Sequence, residues 1–266
     1  MLSKTRFQSL LALSRKKERV AAGLCLIEGW RWLEEALALP EPPECVVALD
    51  GAPRSAAEEA LLDRARAKAR EFHEATPEQL ARLTETVRAP GVAAWVHWSP
   101  MTDLDRLERR GAVSLTLALD AVADPGNLGT IIRTADWFGA AGVILGEGCV
   151  EPTNPKVVRS TMGSLFHLPV VQPHGPLAPA LATWRARGFS LVGAVLDGTP
   201  LPDFRWPDHA VLVIGNEANG IQPAVTAVLD ARVRIPAFGR AESLNAAIAA
   251  AVFLSDWRGR SAAGVG

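Results

Sequence analysis

The chain has 266 residues, 48% of them apolar and 21% charged, with a formal net charge of −1. That balance excludes intrinsic disorder as the default state and allows two modest domains. A near-neutral chain carries no global polyanion signal, so any nucleic-acid contact must come from a local patch. Cys25, Cys45 and Cys149 are odd in number and far apart, which reads as reduced thiols of a cytoplasmic protein. No Cys/His spacing suits a structural zinc. No apolar run is long enough to span a bilayer, and the basic N-terminus lacks a signal-peptide core.

In chain order, residues 5–22 read as one helix with Leu10, Leu11 and Leu13 on one side and Arg15, Lys16, Lys17 and Arg19 on the other. A solvated face is the ordinary meaning of such a charge cluster, and a phosphate-contacting edge is the functional one. Strands follow at 24–27 and 45–49, with helices at 30–39 and 56–70. A strand at 71–74, a helix at 77–83 and a strand at 91–98 complete a small α/β unit over residues 1–98. Residues 99–111 are polar and charged between Pro100 and Gly111, and read as a linker or boundary helix.

From residue 112 to 266 the strands become stronger. The run 115–119 is a buried parallel strand ending at Asp120. It leads into 124–145, where Asn127 is placed to cap a helix that buries Ile131, Ile132, Ala135 and Phe138. On that helix Arg133 lies close to the polar Asp124–Gly129 turn, where backbone N–H groups favour an anion. A solvated or ion-paired arginine is the ordinary alternative. Further strands are expected at 142–145, 169–171 and 190–195, the last ending in a turn at Leu196–Thr199, and helices at 155–159 and 177–187. Then comes the richest stretch: a strand at 210–214 entering the turn Gly215-Asn-Glu-Ala-Asn-Gly220, a variable segment, and residues 235–254, where Ile235, Glu242, Ser243, Leu244 and Asn245 lead into an Ala-rich helix. Two polar loops at the carboxyl ends of parallel strands mark a ligand-binding edge. Its glycines do not form a dinucleotide fingerprint, because Glu217 stands where the second Gly is required.

Three blocks, Asn127 to Ala135, Ile214 to Gly220 and Ile235 to Asn245, resemble in order and spacing the three motifs of the SpoU/TrmH-type RNA ribose 2′-O-methyltransferases of the SPOUT superfamily. The resemblance covers about residues 112–258. Residues 1–98 are similar, more loosely, to the RNA-binding domain that resembles ribosomal proteins and precedes the catalytic domain in many members. The resemblance implies a mostly parallel sheet flanked by helices with a deep trefoil knot, S-adenosylmethionine as methyl donor, and a homodimer. It implies that Leu196, Gly215, Ile235 and Leu244 hold the cofactor, and that Arg133, Asn127, Glu217, Ser243 and Asn245 form the catalytic shell. RNA is the implied substrate, ribosomal RNA ahead of tRNA, with Arg15, Lys16, Lys17 and Arg19 as the RNA-contacting edge; no metal and no membrane are implied. Ala247 stands where many members have Ser, leaving one fewer polar group at that helix start. A non-catalytic RNA-binding protein of the same fold, and a phosphate-binding enzyme using the Asp124–Gly129 turn as an anion cradle, are the alternatives.

Overall fold

In a computed structural model describing residues 1–84, 91–107 and 111–263, the basic N-terminal segment forms two helices, α1 (Lys4–Ala12) and α2 (Lys16–Ala22). The single helix expected there breaks at Leu13–Arg15 for a specific reason. Carbonyls at the end of a helix need donors, and the Arg19 guanidinium donates to the carbonyls of Leu13 and Ser14 at 2.9 and 2.8 Å, while Arg15 turns to an extended conformation. Next come β1 (Leu24–Glu28), α3 (Trp30–Ala38), β2 (Cys45–Leu49), α4 (Ala56–Lys68), β3 (Glu71–Ala75), α5 (Pro77–Leu83) and β4 (Val92–His97). Reciprocal capping boxes, Ser55 with Glu58 and Thr76 with Gln79, fix where α4 and α5 begin.

These strands form a sheet in the order β1-β4-β2-β3, with β4 antiparallel to both neighbours and β2 parallel to β3. Alternate residues of a strand face opposite sides. Cys45 and Val47 therefore join Phe7, Leu10, Leu80 and Trp95 on one face, while Val46 and Ala48 join Leu33, Leu37 and Leu62 on the other. Covered on both faces, β2 is apolar throughout.

The second half contributes β5 (Ser114–Leu119), α6 (Pro125–Trp137), β6 (Gly142–Leu145), α7 (Pro155–Thr161), β7 (Val170–Val171), α8 (Leu177–Ala186) and β8 (Ser190–Pro200). It ends with β9 (His209–Ile214), α9 (Pro223–Thr226), β10 (Ala231–Arg234) and α10 (Ala246–Ala263). Six parallel strands stand in the order β10-β8-β9-β5-β6-β7. The α/β class with a parallel C-terminal sheet is thus the one the strand pattern called for. Successive strands leave β5 toward β7 on one side, whereas β8, β9 and β10 lie on the other. The loops after β5 and β9 consequently diverge from adjacent strand ends, the place where open parallel sheets bind ligands.

Three local expectations change. The variable segment after residue 221 holds the short strand β10, whose Arg-containing ARVR stretch has a single fully buried residue, Val233. Residues 196–199, expected as a turn, are assigned to β8, yet its partners on β10 jump from Gly193 to Thr199. Residues 194–198 thus bulge out of register, with Leu196 at the apex. Of the expected linker or boundary helix over 99–111, the described residues form no α-helix and carry one 3-10 turn at Leu104–Arg106. Met101 bonds to Val170 and Gln172 beside β7, and Leu107 is buried. Residues 108–110 and 264–266 lie outside the described residues.

The chain divides into two compact units, residues 1–99 with 151–159, and residues 100–150 with 160–266. Inside the first unit the segment 151–159 is fastened by two ion pairs, Arg19 with Glu151 and Arg159 with Glu28 at 3.2 Å. Among the described residues, no helix is long and apolar enough to cross a membrane.

Candidate functional site

The entrance to α6 determines which side chains are free for chemistry. Asp124 occupies the cap, Pro125 the first helical position, and the Asp124 carboxylate accepts from the Asn127 N–H at 2.8 Å. This corrects the expectation that Asn127 caps the helix. The consequence is that the Asn127 amide projects away from the helix end. Its Nδ2 donates to Glu217 Oε1 at 2.5 Å, and its Oδ1 accepts from Asn245 Nδ2 at 2.9 Å. Asn245 also accepts from the N–H groups of Ala247 and Ile248, capping α10. One hydrogen-bonded chain therefore ties together the loops after β5, β9 and β10, and each of the three sequence blocks contributes one member.

The loops are held by residues to which the sequence alone assigned no role. Asp120, 1% exposed at the end of β5, accepts from Gln222 through its backbone N–H at 2.7 Å and its Nε2 at 2.8 Å. Asn216 donates to the Ala121 carbonyl at 2.9 Å and accepts from the N–H groups of Ala218 and Asn219. The side chain of Asn216 mimics a turn of backbone, a habit of Asn that would have marked it in the sequence. Gly215 is needed because the loop closes on itself. A Cβ there would lie 2.2 Å from the Gly220 carbonyl carbon. Its role is thus first to let Asn216 and Gly220 bond to each other, at 3.0 and 2.9 Å.

Arg133 is exposed and makes no hydrogen bond or ion pair among the described residues. It is the ninth residue of the 13 in α6, eight residues and about 12 Å from the helix start. That corrects its expected place beside the Asp124–Gly129 turn. It also weakens the anion-cradle alternative, since the capping carboxylate of Asp124 already uses the Asn127 N–H. Six positions along a helix turn about 240° net, so Arg133 points about 120° away from Asn127. Ser243 is exposed and likewise unpartnered among the described residues. Of the four cofactor candidates, Leu196 and Leu244 are exposed apolar side chains on loops at 75% and 47%. Ile235 and Pro236 line an open apolar groove of about 680 Å³ with Phe138, Ile248 and Val252.

The basic edge also changes. Arg15, Lys16 and Lys17 are exposed, but Arg19 is 4% exposed. Its guanidinium is committed to Leu13, Ser14 and Glu151, so it cannot meet a phosphate.

Cys45, Glu71 and His73 converge within 4.8 Å, although nothing in their spacing announced it. Pairing of β2 with β3 sets Cys45 opposite Glu71. Glu71 already accepts from His73 at 2.9 Å and from Arg6 at 2.7 Å, and these partners hold its carboxyl below the usual range. Burial pushes the Cys45 thiol up to about 12, so it stays protonated beside a guanidinium, which is a poor metal ligand set.

Comparison with known proteins adds family to geometry. Residues 114–255 match the SpoU rRNA Methylase family, and residues 4–94 match the MRM3-like substrate binding domain. The chain is 33% identical over 248 residues to the 23S rRNA (guanosine(2553)-2′-O)-methyltransferase RlmP of Bacillus subtilis, covering 93% of each. The solved structure of the SpoU methyltransferase AviRb from Streptomyces viridochromogenes in complex with AdoMet superposes with a TM-score of 0.86 at 33% identity, covering 98% of this chain and 99% of that one. An AdoMet-bound rRNA methyltransferase from Sinorhizobium meliloti superposes with a TM-score of 0.86 at 29% identity, covering 98% and 97%. With both its units matched and its three motif blocks joined by one hydrogen-bonded chain, this protein belongs to the SpoU rRNA methylase family.

Proposed function

We propose that the protein transfers the methyl group of S-adenosylmethionine to a ribose 2′-hydroxyl of ribosomal RNA. The observation that carries this reading is the Asn127–Glu217–Asn245 chain, which assembles three separate sequence blocks at the switch point of a parallel sheet. Relatives that are named ribosomal RNA 2′-O-methyltransferases, and a substrate-binding domain matched in the first unit, favour ribosomal RNA over tRNA.

The loops suit the cofactor. Leu196 and Leu244 offer an apolar wall and Ile235 a half-buried one, while the backbone of the Gly215 loop is pinned by Asp120, Asn216 and Gln222. S-adenosylmethionine, when bound, supplies an electrophilic methyl group on a sulfonium. The protein's own task is to orient a poor nucleophile and stabilise the charge that develops on it. Asn127, fixed at both ends of its amide, and Asn245 position the ribose. Glu217 and Ser243 complete the polar shell. Arg133 stabilises the developing oxyanion and does not take the proton, because a guanidinium offers only N–H donors and no acceptor lone pair.

Two further parts belong to the same reading. A second copy covers the open apolar groove that Phe138, at the end of α6, lines with Ile248 and Val252 of α10, together with Trp137, the last residue of α6 and 85% exposed, since exposed apolar surface of this kind marks interfaces. Arg133 lies one turn before Trp137 on α6, so its role and the proposed dimer are linked. The crossing of the C-terminal segment into a trefoil knot is supported by β10 lying beyond β8 while α10 returns to pack on α6. Three free cysteines and an RNA substrate support a cytoplasmic protein.

The test is Arg133→Ala. It lowers kcat for methyl transfer at least about 100-fold, while calorimetry shows S-adenosylmethionine binding retained. Turnover at the wild-type rate would refute the assignment.

A further inference from the structure

The loop from β10 to α10 carries at its tip a side chain that packing does not explain. Phe238 is 98% exposed, and every residue from Ala237 to Asn245 is exposed. Gly239 beside it has nothing within 4 Å of where a Cβ would sit, so the tip stands in open solvent. A ring left wholly in water forgoes the stabilisation that burial would contribute. Arg240, two residues further, is exposed and makes no hydrogen bond or ion pair among the described residues. Elsewhere in this unit Arg185, Arg187, Arg232 and Arg260 are each paired with an aspartate. The same loop ends at Asn245, whose side chain is bonded to Asn127 at 2.9 Å. A free aromatic face and a free guanidinium thus sit on the segment that also supplies the polar chain.

That pairing of groups takes an unpaired RNA base. Aromatic rings stack on splayed-out bases, and a planar guanidinium pairs with the phosphate alongside. A continuous A-form duplex hides its base faces from such a ring. We propose that Phe238 stacks on an unstacked base next to the methylated ribose, with Arg240 on the neighbouring phosphate, so that this loop selects unpaired nucleotides over duplex. The inference rests on the methyl-transfer reading and assigns substrate selection within it.

Phe238→Ala, Phe238→Leu and Phe238→Trp are compared on an unmodified ribosomal RNA transcript. Binding to a fluorescein-labelled single-stranded oligoribonucleotide, and to the same strand annealed to its complement, is followed by anisotropy. Stacking of one base on one ring corresponds to about 5- to 150-fold in affinity. Phe238→Ala and Phe238→Leu therefore raise KM for the transcript, and Kd for the single strand, by a factor in that range. Their kcat stays within about twofold, and Phe238→Trp restores both constants. Affinity for the duplex changes little. The inference is overturned if Phe238→Ala leaves single-strand Kd unchanged, if Leu rescues as well as Trp, if cofactor affinity falls with it, or if the variant changes oligomeric state. Absence of methyl transfer by the wild-type protein would sink the underlying reading, and the anisotropy arm would still decide the stacking.

Discussion

Replacing Arg19 by Ala separates a structural cation from an RNA-binding one. Arg19 is 4% exposed and Glu151 8%, and the guanidinium also donates to the carbonyls of Leu13 and Ser14. Removing one partner of a buried ion pair leaves the other charge uncompensated, typically about 3–5 kcal/mol. Lys16 lies 4.0 Å from Glu151 but is largely exposed, so it recovers little of this. Arg19→Ala is therefore expected to destabilise the first unit by about 3–5 kcal/mol, a factor of roughly 10² to 10³ or more in its folding equilibrium. Urea unfolding gives the global number, and amide exchange over Leu24–Glu28 gives the local one. The double change Arg19→Met with Glu151→Leu should regain most of the loss, since apolar replacement of both partners is often near neutral. A loss below about 1 kcal/mol, or weakened RNA binding with unchanged stability, would refute the assignment of Arg19 to the fold.

Other outcomes follow from burial and exposure. Burial pushes the Cys25 and Cys45 thiols up to about 12 and Cys149 up to about 11. At pH 8 the first two are thiolate at about 1 part in 10⁴, so iodoacetamide labelling followed by mass spectrometry should leave them intact until the protein is unfolded, and fast native labelling would contradict this. Ile248→Asp with Val252→Asp, at exposed positions of α10, is expected to convert the proposed dimer to monomer in analytical ultracentrifugation without loss of helix by circular dichroism, and an unchanged oligomeric state would remove this face from the interface. Changing Arg15, Lys16 and Lys17 together to Ala should flatten the salt dependence of RNA binding by up to about 2 in the log–log slope, at about 0.7 per single-strand phosphate contact. An unchanged slope would return those residues to a solvated face.

Much of this architecture is written in strand composition. Runs such as 115–119, apolar but for Thr116, and 210–214, apolar throughout, are short, rich in Leu, Val and Ile and bounded by polar residues or glycine, which reads as strands covered on both faces, and they pair side by side. The break between α1 and α2 was not legible, because its cause is a side chain, Arg19, reaching back to carbonyls five and six positions earlier. The strand β10 was hidden for a similar reason. In Ala231–Arg234 only Val233 is fully buried, and its partner strand β8 supplies the pairing. At the site, Asn127, Glu217 and Asn245 were picked out as residue types, while their direct bonding to one another required the fold. The pairing of Asp120 with Gln222 was not legible, because a carboxylate at a strand end and an amide in a loop, 102 residues apart, have no distinguishing spacing. Arg133 shows the opposite case: its presence was legible, but its direction depended on the helix starting at Pro125.

The central claim is tested most directly by incubating the purified protein with unmodified ribosomal RNA and S-adenosylmethionine carrying a labelled methyl group, then digesting the RNA to nucleosides. Label in a single 2′-O-methylnucleoside, absent with Arg133→Ala, is the predicted result. Label on a base, or no label in RNA despite bound cofactor, would contradict the account.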